Sequence, residues 1–196
     1  MADIKKPLMY TQRARHRILA ALNWNEREKK TTIVDKVLHT DQQHDLDISC
    51  FVYDVNKEYV DFVGAMAQDS MDQTESIYHS GDDATGSGDT DDEMISCELI
   101  GLPDDTVHLI FVTEIRSGQT FCQVSDPRFR LADGINNQNL FELEMSAPEG
   151  RDKSACIMAR VFRDSNSPTG WSLHAIADYP DLAEVSDWGS YLTRYL

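Results

Sequence analysis

Eight short runs rich in β-branched, aromatic and other apolar residues follow one another along most of the chain. They are Ile48 to Tyr53, Tyr59 to Val63, Met94 to Leu99, Val107 to Ile115, Phe129 to Leu131, Leu140 to Met145, Ala155 to Phe162 and Trp171 to Ala177. Turn chemistry separates them, at Pro103-Asp104-Asp105, Asp133-Gly134, Pro148-Glu149-Gly150 and Asn166 to Gly170. Gly tolerates positive φ, Pro presets the first turn angle, and Asp and Asn bond to their own backbone, so each cluster ends one strand and starts another. No βαβ rhythm is visible. The pattern predicts a mainly β chain folded as a two-sheet β-sandwich. A chain of 196 residues is long enough for one full hydrophobic core and short for two. It divides into a basic extension over residues 1–30 and a sandwich domain over residues 31–196.

The two ends read differently. Ile18, Leu19 and Leu22 fall at helical spacing with Arg13, Arg15 and Arg17 beside them, which predicts an N-terminal helix over Thr11 to Leu22. At the other end, Asp181 to Tyr195 fits a short closing helix bent near Gly189, with Leu182, Val185, Trp188 and Leu192 turned to the body.

The net charge is -16, but residues 1–30 carry eight Lys or Arg against three acidic residues, so that segment is +5 and the remainder -21. So acidic a body repels nucleic-acid phosphate and favours cations. The basic N-terminal helix is expected to dock onto the acidic body and to allow at most peripheral membrane contact. No apolar run approaches the roughly 20 residues of a membrane span, and no cleavable leader is apparent, so a cytoplasmic protein is expected. Cys50, Cys97, Cys122 and Cys156 are scattered singly among apolar neighbours, which predicts buried, reduced thiols.

Between residues 81 and 93 the composition changes. Gly81-Asp82-Asp83-Ala84-Thr85-Gly86-Ser87-Gly88-Asp89-Thr90-Asp91-Asp92-Glu93 packs six carboxylates and three glycines into thirteen residues. This is a hard-oxygen donor set of the kind that Ca²⁺ takes. Two carboxylates about 4 Å apart repel by roughly 4 kcal/mol at an effective dielectric near 20, so either a cation is bound or the loop is splayed into water. The spacing approximates an EF-hand loop, but Glu93 arrives one place early and the flanks read as strands rather than helices. A second acidic pair, Asp45-Leu46-Asp47, alternates just ahead of an apolar strand, which sends both carboxylates to one side and Leu46 to the other. Two strands laid side by side would bring this pair to the loop. His79, immediately upstream, is expected to hydrogen-bond the loop backbone rather than ligate a transition metal. Arg163 and Trp171 are expected to help pack the sandwich.

Read in order, Asp45-Leu46-Asp47-Ile48-Ser49-Cys50-Phe51 and then Ser76 to Glu93 resemble the two signature stretches of the TerD family, a tellurium-resistance and stress-response family. Leu102-Pro103, Ile110-Phe111-Val112, Phe121-Cys122-Gln123-Val124, Phe129-Arg130-Leu131, Glu142-Leu143, Phe162-Arg163 and Trp171 look like its later landmarks, so the likeness covers roughly residues 35–178. The resemblance implies a β-sandwich that binds calcium, usually two ions side by side, in the bacterial cytoplasm. Carried over by position, it implies Asp45, Asp47, Asp82, Asp83, Asp89, Asp91, Asp92 and Glu93 as ligands, with Thr85, Gly86 and Gly88 as further oxygen donors. Asp83 stands where family members commonly have Asn, which keeps an oxygen and adds charge. Relatives typically begin with a β-strand, from which the helix read over Thr11 to Leu22 departs.

Together these readings describe a calcium-binding, non-enzymatic interaction module whose acidic loop is ordered by Ca²⁺ and whose partners are other Ter-type stress-response proteins. The alternative is a metal-dependent hydrolase or phosphoesterase using the same carboxylates. That chemistry needs an open coordination position and a phosphate clamp. No Lys or Arg lies within the loop, so a clamp would have to come from elsewhere, as from Arg116 or Arg130.

Overall fold

The computed structural model describes residues 4–13, 16–25, 44–81 and 91–196. Its strands are β1 (Ile4–Pro7), β2 (Arg17–Asn25), β3 (Leu46–Asp54), β4 (Tyr59–Val63), β5 (Ile77–His79), β6 (Glu93–Glu98), β7 (Thr106–Ile115), β8 (Ser125–Asp133), β9 (Asn139–Glu144), β10 (Ala155–Arg163) and β11 (Trp171–Asp178). One sheet has six strands in the order β1-β11-β10-β7-β3-β4, and the other has five in the order β5-β6-β2-β8-β9. Neighbours in both are antiparallel. The eight strands expected from the sequence are present, with ends moved by a few residues.

The core lies between the sheets and follows the two-residue repeat of each strand. Leu46, Ile48, Cys50 and Val52 of β3 point into it, as do Ile18, Ala20, Leu22 and Trp24 of β2, Ile95 and Cys97 of β6, and Phe129 and Leu131 of β8. The six-stranded sheet is apolar on its outer face as well, where Phe51, Tyr53, Ile110, Val112 and Ile157 form a second cluster closed by Tyr191 and Leu192. A strand buried on both faces reads as a continuous apolar run, and β3 and β10 do so.

The N-terminal helix expected over Thr11 to Leu22 is not found. Residues Arg17–Asn25 form β2, the middle strand of the five-stranded sheet, pairing with β6 on one side and β8 on the other. Ile18 and Leu22 are four apart, which suits one face of a helix and equally two strand repeats. The alternation Ile18, Ala20, Leu22, Trp24 decides the matter, since all four are at most 1% exposed. Its one small member, Ala20, carries no strand signal of its own, and β pairing with two neighbours overrides alanine's helical preference. Arg17, assigned to the solvated side of that helix, instead pairs with Glu98 at 2.8 Å. The amphipathic helix on which docking or peripheral membrane contact rested is thereby removed. None of the described helices is long and apolar enough to cross a membrane.

The closing segment is shorter than expected. A helix α1 spans only Trp188–Tyr191, with 3₁₀ turns at Leu182–Glu184 and Leu192–Tyr195. Leu192, Val185 and Trp188 pack on the outer cluster as anticipated, whereas Leu182 is 37% exposed. The break falls ahead of Asp187, which caps α1 by accepting the Ser190 N–H at 2.7 Å, and not at Gly189. Gly189 lies inside the helix, where its carbonyl accepts the Tyr53 hydroxyl at 2.7 Å.

Three of the four thiols, Cys50, Cys97 and Cys156, are buried as expected, and Cys122 is exposed. Cys122 sits in a 3₁₀ turn over Phe121–Gln123, where the fully buried Phe121 takes the inward direction and leaves its neighbour outside. Cys50 and Cys97 are neighbours across the two sheets despite their separation in sequence, and burial pushes the Cys50 thiol well up. Arg163 packs as anticipated, 4.8 Å over the Trp171 ring, while its guanidinium donates to the Thr106 and Pro103 carbonyls at 2.7 and 2.9 Å.

On β7, burial first and then Arg160 and Lys57 lower the pKa of His108 from 6.5 to about 4. The unfolded chain therefore takes up this proton before the folded one. The contribution is whole above pH 6.5 and is lost as the pH falls towards 4. Allowing for solvent screening, the loss is on the order of 1–2 kcal/mol. Urea unfolding at pH 7.5, 6 and 4.5 should show this part of the acid destabilisation removed in His108→Gln.

Candidate functional site

The two acidic segments meet, though not as neighbours in one sheet. Asp45-Leu46-Asp47 leads into β3 of the six-stranded sheet, and Asp91-Asp92-Glu93 leads into β6 of the five-stranded one. β4 ends opposite Cys50, so the Ile48 N–H on that edge of β3 has no strand partner. Glu93 supplies one from the facing sheet, its Oε2 accepting the Ile48 N–H at 2.9 Å. The expected alternation holds in part: Leu46 enters the core fully, and Asp47 points to the other face, where it is 7% exposed.

Four of the five described carboxylates, those of Asp47, Asp91, Asp92 and Glu93, are each held by a specific donor. Asp92 accepts the Trp24 N–H at 2.8 Å and gives its own N–H to the Leu22 carbonyl at 2.9 Å, which ties the start of β6 to the end of β2. Asp47 pairs with Arg116 at 2.8 Å. Asp91 takes a fork from Arg130, with Nε to Oδ1 at 2.7 Å and Nη2 to Oδ2 at 2.5 Å. Asp45 gives its carbonyl to the Arg116 N–H at 2.9 Å and is partly buried. The two arginines named as possible outside clamps are thus both brought to the acidic segments, and both are engaged in ion pairs there.

Glu93 is the most sheltered of the set. It is fully buried, and burial raises its pKa above the ordinary 4.5. His79 and the Ile48 N–H act in the opposite direction. Its Oε1 is buried with no hydrogen-bond partner among the described residues. A carboxylate oxygen without a donor in a low-dielectric setting is costly unless a cation meets it. His79 behaves as expected, with Nδ1 accepting the Gly81 N–H at 3.0 Å. A ring nitrogen that accepts carries no proton, so the ring hydrogen sits on Nε2, 3.4 Å from Glu93 Oε2. Nδ1 therefore serves the loop backbone, while Nε2 is buried with the 3.4 Å approach to Glu93 and no hydrogen bond among the described residues. Gly81, at the loop's entry, has φ of +108°, a conformation that a side chain would strain.

Asp82, Asp83, Thr85, Gly86, Gly88 and Asp89 lie outside the described residues. Among the described residues no three His, Cys, Asp or Glu side chains converge closely enough to hold an ion. What is present fits a hard divalent cation in kind: carboxylates, two of them oriented by backbone N–H groups and two by arginines, with the Glu93 Oε1 buried and lacking a donor among the described residues. The five described carboxylates at these strand starts are among the candidates that the sequence offers. The sequence does not identify Trp24 and Ile48 as the backbone donors that orient two of them, because nothing local marks a strand edge left open by a shorter neighbour.

Beside this cluster, on the outer face of the five-stranded sheet, lies a cleft of about 540 Å³ bordered by Asn23, Asp91, Arg128, Arg130, Glu142 and Glu144.

Comparison with known proteins agrees with this architecture. The family model described as TerD domain matches residues 5–181. The tellurium resistance protein TerD of Alcaligenes sp. is 28% identical over 167 residues, covering 81% of this chain and 78% of the relative. Chemical-damaging agent resistance protein B of Clostridium acetobutylicum is 31% identical over 107 residues, 51% of this chain and 72% of the relative. The crystal structure of a homologue of telluride resistance protein (TerD) from Streptomyces coelicolor A3(2) superposes with a TM-score of 0.67 at 20% identity, over 91% of this chain and 95% of that one. That likeness establishes the shared fold. With the family model spanning nearly all of the two sheets, including β2 and the acidic segments at the start of β3 and β6, this chain belongs to the TerD family.

Proposed function

We propose that this chain is a calcium-binding, non-enzymatic interaction module of the tellurium-resistance and stress-response kind, acting in the cytoplasm with other Ter-type proteins. The single observation that carries the reading is the buried Glu93 Oε1, without a donor, at the point where the two acidic segments meet. In this reading Asp45, Asp47, Asp91, Asp92 and Glu93 supply oxygens from the strand ends. Asp82, Asp83, Thr85, Gly86, Gly88 and Asp89 complete the coordination of one or two ions. Calcium would supply the positive charge that lets so many carboxylates converge, and would order the loop into a surface for partners. The chain's own residues do the positioning: the Trp24 and Ile48 N–H groups fix the orientations of Asp92 and Glu93 before any ion arrives.

Calorimetric titration of chelator-treated protein with calcium, magnesium competing, tests the reading. Dissociation constants of about 10⁻⁷ to 10⁻⁵ M are expected for work at cytosolic calcium. Absence of heat at millimolar calcium would overturn it.

A second reading, a metal-dependent phosphoesterase, draws on one observation: Arg116 and Arg130 both stand at the acidic segments. Against it, both guanidinium groups are already committed to carboxylates. Phosphodiester turnover with manganese or magnesium, abolished in Asp91→Ala, would replace the first reading with this one.

A further inference from the structure

The Arg130 guanidinium is more fully used than an ion pair requires. Besides its fork onto Asp91, its Nη1 donates to Asn139 Oδ1 and its Nη2 to Asn137 Oδ1, each at 2.8 Å. Arg130 lies on β8 and Asp91 just ahead of β6, with β2 between the two strands. Ala21, paired with Arg130 on one side and Met94 on the other, is fully buried and small. A larger side chain there would stand between the two strands on the outer face. The side chains of Arg130 and Asp91 are only 20% and 18% exposed, so the pair is sheltered well beyond an ordinary surface ion pair. Arg116 repeats the arrangement on Asp47 in a more exposed place, with its Nε 2.8 Å from Oδ2 and its own side chain 45% exposed.

We infer that Arg130 is a resident counter-cation of the acidic site, which holds Asp91 in the metal-free protein and releases it when a divalent ion takes that carboxylate. The inference rests on the reading that the loop binds calcium. A guanidinium fork engages both oxygens of Asp91, and a dication on the same group repels it with twice the energy of a unit charge at equal distance. Arg130 therefore acts against metal binding while stabilising the metal-free state, and so sets the calcium concentration at which the site fills. Release has a second consequence. The side chain remains tied to Asn137 and Asn139 and borders the 540 Å³ cleft together with Arg128, Glu142 and Glu144. Loss of Asp91 leaves the guanidinium without its ion-pair fork and with Glu142 as its remaining nearby carboxylate, so metal occupancy changes the charge that this face presents to a partner.

The test is calcium titration of the full chain as wild type, Arg130→Met and Arg116→Met, with nitrogen-15 NMR of the arginine side chains. Arg130→Met is expected to bind calcium about tenfold or more tightly, with a lower melting temperature when metal-free. Arg116→Met is expected to give a smaller gain of the same sign. In the wild type, saturating calcium is expected to move the Arg130 Nε–H signal away from its ion-paired position. Equal or weaker calcium binding by a folded Arg130→Met, or an Arg130 signal unmoved by calcium that does bind, would overturn the inference alone and make Arg130 a retained support of Asp91. Should Arg130→Met fail to fold, the wild-type signal and Arg116→Met decide. Absence of calcium binding by every form would overturn the calcium reading, and this inference with it.

Discussion

Trp24→Ala is expected to lower the unfolding free energy by about 3–5 kcal/mol, the range for truncating a large aromatic side chain in a packed core. Trp24 is 1% exposed near the end of β2, the middle strand of the five-stranded sheet, inside the core shared by both layers. Its place decides between two pictures of the N-terminal segment. On a basic helical extension outside the body, the same substitution would change stability by about 0.5 kcal/mol or less. As part of β2, it removes one of the largest buried side chains and slackens the strand whose N–H holds Asp92. Urea unfolding of both proteins, followed by tryptophan fluorescence and by circular dichroism, measures the difference. A change near zero would mean that β2 is not the middle strand.

Glu93→Gln is expected to act in opposite directions with and without calcium. In the metal-free protein it removes a fully buried charge whose pKa burial has raised, and it keeps an oxygen to accept the Ile48 N–H. Metal-free stability at neutral pH should therefore stay level or rise by about 1 kcal/mol. Calcium affinity should fall about 100-fold, since a neutral amide replaces a ligand charge at the joint between the two acidic segments; that loss is about 2.7 kcal/mol. Paired melting curves in chelator and in millimolar calcium read both effects. A purely structural Glu93, serving only Ile48 and His79, predicts the same destabilisation in both conditions. That outcome would remove the central observation behind the calcium reading.

The difference between what was legible and what was not lies in the range of the interactions. Strands such as Thr106–Ile115 and Ala155–Arg163 announce themselves through apolar runs and flanking turns, and the acidic loop through composition. β2 did not, because Ile18 and Leu22 satisfy both periodicities and Ala20 is silent. β1 (Ile4–Pro7) and β5 (Ile77–His79) are only four and three residues long, too short for a period to show. Cys122 reads as buried from its apolar neighbours, because nothing local marks the 3₁₀ turn that turns it outward.

The candidate site divides in the same way. Composition alone shows which residues carry the negative charge and that oxygen chemistry, rather than thiol or imidazole chemistry, is on offer. The order of residues also places Asp45 and Asp47 at the start of one strand and Asp91 to Glu93 at the start of another, since charge and alternation are local properties. Only the tertiary structure decided that these strands lie in different sheets and meet through Glu93 and the Ile48 N–H, 45 residues apart. Only it placed Arg130 on Asp91, 39 residues away, by setting β6, β2 and β8 side by side. The physical reason is that strand order and the packing of one sheet on another arise from burying all the apolar faces at once. No short window of sequence contains that sum.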